Sequence, residues 1–270
     1  MAITTLNGVL SGMQVPQPFS KASTATTSVG RPMSVFPTAG FPAAGAYPNS
    51  TPAGGTYSQA TPVQGFIPHT DPGGGNSYLA RLQATMNFPG QLLLCDRLWD
   101  DGGLSTTITT AQTVNSVGWP NRDANGTNAG VGVQIGVEIT VATSTNAPTI
   151  TMSYTNSAST AGQTATNVDT TIATAPIGSF YRMGLAAGDL GVKSVQSVTL
   201  SVTWTAGTMV LVAYRVLASL QVSASGWSDA IDAVTGGFPQ LYNGVSPFFI
   251  ILPNSANTYI VTGTYAESQG

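Results

Sequence analysis

Residues 131–143 read VGVQIGVEITVAT, and Val131, Val133, Ile135, Val137, Ile139 and Val141 occupy every second position. Successive side chains of a strand point to opposite faces, so this run lays one continuous apolar face against a core. The rest of the chain agrees. Two Lys and two Glu in 270 residues cannot coat helices with charge, whereas 37 Thr and 25 Ser suit pleated surfaces and turns. With 31 Gly and 17 Pro as further interruptions, an all-α fold is excluded.

Other strands are predicted at 91–99, 104–114, 149–154, 195–205, 209–217, 248–252 and 258–265. The apolar run 91–99 is expected to stop at Asp100, Asp101, Gly102 and Gly103. Asn146, Ala147 and Pro148 read as a turn. Residues 206–208 read as a tight hairpin joining two strands, with Gly207 free to take positive φ. Two short helices are expected. One is 78–86 (YLARLQATM), which follows Gly73, Gly74, Gly75, Asn76 and Ser77 as hinge and cap; the other is a weaker stretch at 228–234. Many short strands with regular turn punctuation give an all-β fold, an antiparallel β-sandwich of jelly-roll-like type, over residues 78–270.

Residues 1–77 differ in texture. They hold ten of the 17 prolines, and proline cannot donate to a strand ladder. Aromatics are spread irregularly through them, at Phe19, Phe36, Phe41, Tyr47, Tyr57 and Phe66. Disordered linkers usually avoid aromatics, so this segment reads as a long extended arm. It is expected to be mobile in a free subunit and to order by seating those six residues on neighbours. Trp119 and Trp227, close to predicted turns, complete the candidate partner contacts.

A net charge of −3, with eight scattered basic residues, leaves no electrostatic footprint for nucleic acid or a membrane surface. No apolar run approaches the roughly 20 residues of a membrane-spanning helix. The first residues lack the pattern of a cleaved signal, and Cys95 is the single cysteine, so synthesis in a reducing cytosol is the simplest expectation. Catalytic constellations are also missing. His69 is the only histidine, too few for a zinc site or a familiar triad. The stretch Asp71-Pro72-Gly73-Gly74-Gly75 lacks the lysine of a phosphate-binding loop. Asp96, Asp100 and Asp101 surround Arg97, which suits an ion pair at a strand end better than a cation site or an acid–base pair. Residues 121–126 (NRDANG) imitate the start of a calcium loop, but Gly132 stands where the bidentate glutamate belongs, so an Asx-rich turn around Asp123 is expected. Glycosylation patterns at Asn49 and Asn125 carry no meaning without a secretory route. The chain is therefore read as no enzyme, with no cofactor and no metal.

Several strings are familiar together: LLLCDRLWDDGGLSTTITTAQTVNS, TITMSYTNSASTAGQTATN, IGSFYRMGLAAGDLGVKSVQSVTLS, LVAYRVLASL and GFPQLYNGVSPFFIILP. In this order they resemble a group of tailed-bacteriophage virion proteins, over roughly residues 90–265 and not over the arm. The resemblance implies a structural component of a virion, made in the cytoplasm of a host bacterium. A capsid decoration or cementing subunit, bound to the major capsid protein or other virion proteins and homo-oligomeric with a trimer favoured, is the leading expectation. A tail or head–tail connector component is the alternative within that class. A host-receptor or glycan-binding adhesin using exposed aromatics is the alternative outside it.

Overall fold

The computed structural model describes residues 3–47, 52–59 and 65–270. Asn49 and its glycosylation pattern lie outside the described residues. The described chain is all-β, two antiparallel sheets with one short helix, α1 (Leu6–Ser11), whose cap Thr5 accepts from the Gly8 amide at 3.1 Å. In the first sheet β1 (Gln17–Thr26), β3 (Gly40–Phe41), β5 (Ser77–Met86), β14 (Ser228–Asp232) and β17 (Thr258–Gln269) run in the order β14-β5-β17-β1-β3, and β15 (Gln240–Leu241) also pairs with β5.

The second sheet is larger. Its members are β2 (Met33–Ser34), β4 (Gly55–Thr56), β6 (Gly90–Ser105), β7 (Gln112–Thr113), β8 (Gln134–Ser144), β9 (Ile150–Asn156), β10 (Gln163–Asn167), β11 (Phe180–Gly184), β12 (Val192–Leu200), β13 (Ala206–Val222) and β16 (Pro247–Pro253). The order is β2-β16-β6-β13-β8-β11-β10-β9-β12-β7, with β4 against β6.

Strands β6 and β13 are the spine, paired from Thr208–Ser105 to Val222–Gly90. Both are buried on both faces, which is why Leu92, Leu93, Leu94 and Cys95 are apolar in succession rather than alternating. Leu92 and Leu94 face the first sheet, where Phe19, Leu82, Ala84, Val261 and Tyr265 close a core between the two layers. Leu93 and Cys95 face the other way, into a cluster with Phe36, Tyr57, Phe66, Val212 and Phe248. Farther along, Leu98, Trp99 and Leu211 join a third core with residues of β8, β9, β11 and β12 and with Trp204, which lies between β12 and β13.

The apolar alternation of residues 131–141 holds up to a point. Val133, Ile135, Val137 and Ile139 are fully buried. A bulge follows, because Met209 pairs with Ile139 while Thr208 pairs with Val141. Past this extra residue the facing inverts, and Val141 is exposed.

Four expectations are corrected. Residues 78–86 are strand β5 and not a helix, since β17 on one side and β14 with β15 on the other capture their backbone. Leu82, Ala84 and Met86 then fall on the buried face, and tertiary pairing overrides the helix propensity of Leu, Ala, Arg and Gln. Residues 228–234 likewise give β14, an edge strand. Residues 206–208 form no hairpin: β12 pairs with β9 and β7, while β13 lies between β6 and β8. Gly207 does take positive φ, 108°, but at a bulge of β13 against β8. Strand β6 also runs through Asp100 and Asp101 to Ser105 instead of stopping before them.

Of residues 1–77, expected as an extended arm, the described ones are woven into this chain's own sheets. β1 pairs with β17 from Gln17–Tyr265 to Ala22–Ile260, β2 pairs with β16, and β4 pairs with β6. The four of the six aromatics that are buried, Phe19, Phe36, Tyr57 and Phe66, cannot alone offset the roughly 1–2 kcal/mol per residue needed to fix this backbone. Backbone pairing along edges that β16 and β17 offer adds what the aromatics lack.

Candidate functional site

The charged residues flagged around Arg97 lie in the interior. The Arg97 guanidinium donates to Glu138 Oε2 at 2.8 Å and to Asp100 Oδ2 at 3.0 Å, with all three side chains shut off from solvent. The N-terminal segment closes the cluster: the Tyr47 hydroxyl donates to Glu138 Oε1 at 2.8 Å, and that of Tyr57 to Asp100 Oδ2 at 2.6 Å. Phe36 lies 4.3 Å from the guanidinium carbon, with Tyr47 and Tyr57 each at 5.5 Å and Phe248 at 5.6 Å. Such an aromatic cage holds a planar cation through its ring faces.

Burial works against the Arg97 charge, and the carboxylates of Glu138 and Asp100 outweigh it, raising the pKa above the usual arginine value. Burial, then the Glu138 charge, pushes the Tyr47 phenol well up; burial does the same to Tyr57, with Asp100 adding to it. The arrangement is a closed network in which only the Arg97 Nε lacks a hydrogen-bond partner, suited to holding β6, β8 and the N-terminal segment in register. It presents no open position to a substrate.

A second pair lies beside it. Arg122 donates through Nε to Asp96 Oδ2 at 3.1 Å, through a short bond to the Gly244 carbonyl, and to Arg97 O at 3.2 Å; Ser246 N caps Asp96 Oδ1 at 2.9 Å. Asp101 is different. It is buried, neither carboxylate oxygen has a hydrogen-bond partner, and burial followed by the Asp100 charge pushes its pKa up to about 7. Asp123 accepts from the amides of Asn125 (2.9 Å), Thr127 (2.8 Å), Gly130 (3.0 Å) and Val131 (3.2 Å) and from the Thr127 hydroxyl (2.8 Å). Burial raises its pKa, but those bonds prevail and hold it low; the calcium-like loop is an Asx turn filled by its own backbone. Among the described residues, no three His, Cys, Asp or Glu side chains gather as a metal site.

His69 is a structural clamp. Its Nδ1 lies 2.8 Å from Glu267 Oε2 and its Nε2 lies 3.0 Å from Asp71 Oδ1, so both ring nitrogens are engaged. Burial lowers its pKa, but the two carboxylates win and raise it. Cys95 is buried, and burial pushes its thiol well up.

The candidate partner contacts divide sharply. Phe19, Phe36, Tyr57 and Phe66 are buried within this chain, and Phe19 meets Phe249 at 4.5 Å between ring centres. Tyr47 is half-buried in the Arg97 cage. Trp119 is buried against Trp99 at 5.2 Å and donates to Val192 O at 2.6 Å. Only Phe41 (52% exposed) and Trp227 (67%) present their rings to solvent. Sequence reasoning missed Glu138, whose one signal is a glutamate inside an otherwise apolar strand. It also missed the exposed apolar face around α1, where Leu6 and Leu10 stand out and a shallow groove of about 260 Å³ runs between Ile3, Leu6, Val9, Ala233, Val234 and Phe238.

The surface itself is unusual. Lys21, Asp96, Arg97, Asp100, Asp101, Arg122, Asp123, Glu138, Asp169, Arg215 and Glu267 are all buried, eleven of the nineteen charged residues. Eight charges remain for 10615 Å² of surface. Charged side chains are normally the least buried of all, so the usual distribution is inverted here.

Fold and interior define an all-β antiparallel sandwich protein with a buried ionic core. No protein-family model matches the chain, and no curated protein matches it. Among solved structures, the VP2 subviral particle of infectious bursal disease virus aligns with 100% of this chain and 83% of that chain, at 9% identity and a TM-score of 0.20. T=1 particles derived from infectious bursal virus align with 96% of this chain and 79% of theirs, at 10% identity and the same TM-score of 0.20. Likenesses this slight establish neither a shared fold nor a shared role.

Proposed function

We propose that this chain is a non-enzymatic structural subunit of a tailed-bacteriophage virion, a capsid decoration or cementing protein that binds neighbouring virion proteins. One observation carries the reading: eight charges for 10615 Å² of surface. Soluble domains keep themselves apart with roughly a quarter to a third of their surface residues charged. A surface of hydroxyls, small apolar groups and a bare α1 face suits a subunit that spends its life covered by others.

The buried ionic network fits the same role, since it fixes register rather than serving chemistry. The order of the strings around β6, β9, β11, β13 and β16 favours the phage class. Many copies around a shell make weak contacts collectively strong. A homotrimer is the expected assembly unit, because closed symmetry lets one patch serve every copy.

Hydroxyl-radical footprinting of the free subunit and of intact particles tests the proposal. Protection of Leu6, Leu10, Trp227 and Val234 in particles supports it. Equal labelling in both states contradicts it.

A further inference from the structure

A cleft of about 170 Å³ opens beside the His69 clamp, lined by Gln14, Gln17, Thr70, Tyr265, Glu267 and Gln269, with Val15 and Pro68 as its apolar wall. Its polar groups are biased toward accepting. The side-chain NH₂ groups of Gln14, Gln17 and Gln269 are turned back onto the carbonyls of Gly12 (2.8 Å), Val15 (3.1 Å) and Thr70 (2.7 Å). One N–H of each amide is thereby engaged within the chain, and the carbonyl oxygens are left for other partners.

Tyr265 is fully buried; burial, then the Glu267 charge and a loose contact of the hydroxyl with that carboxylate, pushes its phenol well up, and no well-formed hydrogen bond holds the hydroxyl. Glu267 is almost fully buried and gives only Oε2 to His69, which Asp71 holds from the other side. Two carboxylates flank one imidazole, so at least one negative charge is left uncompensated whichever way the ring is protonated.

We propose that this cleft binds a primary alkylammonium group, the head of a lysine side chain or of a free aliphatic amine. An ammonium carries three donors and no acceptor, which matches a carboxylate, a phenol oxygen and amide carbonyls. Its methylene stem suits Val15 and Pro68. The volume suffices, since a cavity of about 150 Å³ admits benzene. The inference stands apart from the virion reading and survives if that reading fails.

The test is calorimetry and amide NMR on the full chain at neutral pH, with n-butylammonium, cadaverine and Nα-acetyl-lysine-methylamide as probes and 1-butanol as the uncharged control. Saturable binding of the ammonium probes, with Gln14, Gln17 and Gln269 side-chain shifts and none from butanol, is expected. Tyr265→Phe removes a single hydroxyl that only Glu267 touches, and is expected to weaken binding about tenfold. Glu267→Gln is expected to abolish it; should that variant lose its fold with the His69 clamp, Tyr265→Phe and Gln269→Ala carry the test. Tighter binding of the lysine derivative assigns the cleft to a protein partner, and tighter binding of cadaverine assigns it to a free amine. No saturable binding by any amine, equal binding of butanol, or unchanged affinity in Tyr265→Phe overturns the proposal.

Discussion

Arg97 and Glu138 meet at 2.8 Å with both side chains closed to solvent, although 41 residues separate them along the chain. Removing one partner of a buried pair leaves the other charged and unsatisfied, at a cost of about 3–5 kcal/mol. Glu138→Ala is therefore expected to lower unfolding stability by that amount in urea titrations, with Tyr47→Phe showing a smaller loss. A change below about 1 kcal/mol for Glu138→Ala would show that solvent reaches the pair.

Asp101 makes stability fall as pH rises. Its carboxyl titrates near 7 in the folded chain, against 3.8 for the unperturbed group, so the folded state holds more protons between those values. Linkage then removes stability progressively from about pH 4 to 7. Asp101→Asn is expected to gain on the wild type across that window and to hold a constant difference above it, by melting temperatures at pH 4, 5.5, 7 and 8. A difference that does not vary with pH would place the titration elsewhere.

His69 acts at higher pH. Its raised value means that the clamp to Glu267 and Asp71 contributes fully below about 6.5 and is lost as pH climbs through the folded value. It is the only histidine, so its imidazole proton resonance is unambiguous in NMR. An apparent pKa above 6.5 is expected; a value at or below 6.5 would mean that burial outweighs the two carboxylates.

How far the sequence disclosed this depended on where a residue's partners lie. Strands with their own period, such as the run from Val133 to Ile139, were legible because side-chain facing is a local property. So was the Asx turn at Asp123, which is satisfied by amides within eight residues. Strand β5 was misread because Leu79, Leu82 and Met86 suit a helix as well as a strand, and only β17 and β14 decide between them. The arm was misread for the same reason: proline content describes what Gln17–Thr26 cannot do alone, not that β17 supplies its ladder. The Arg97 cluster was located as an ion pair, but Glu138, Tyr47 and Tyr57 come from elements remote in sequence.

The N-terminal segment is accordingly predicted to be part of the folding unit. Phe36 packs against Tyr47, Tyr57, Phe66 and Phe248, and Phe36→Ala is expected to cost about 3–5 kcal/mol. A chain of residues 78–270 alone exposes that pocket and the unpaired edge of β17, and is expected to aggregate or melt without a cooperative transition. A sharp calorimetric transition from 78–270 would instead return the segment to the status of a dispensable arm.

The virion reading faces its most direct test in copy number. Quantitative mass spectrometry of purified particles, with isotope-labelled peptides of this chain and of the major shell protein, measures it. The account predicts copies on the order of hundreds per particle, in fixed ratio to the shell subunit, as multivalent cementing requires. Absence from the particle contradicts a structural role, and about a dozen copies or fewer contradicts a place on the shell.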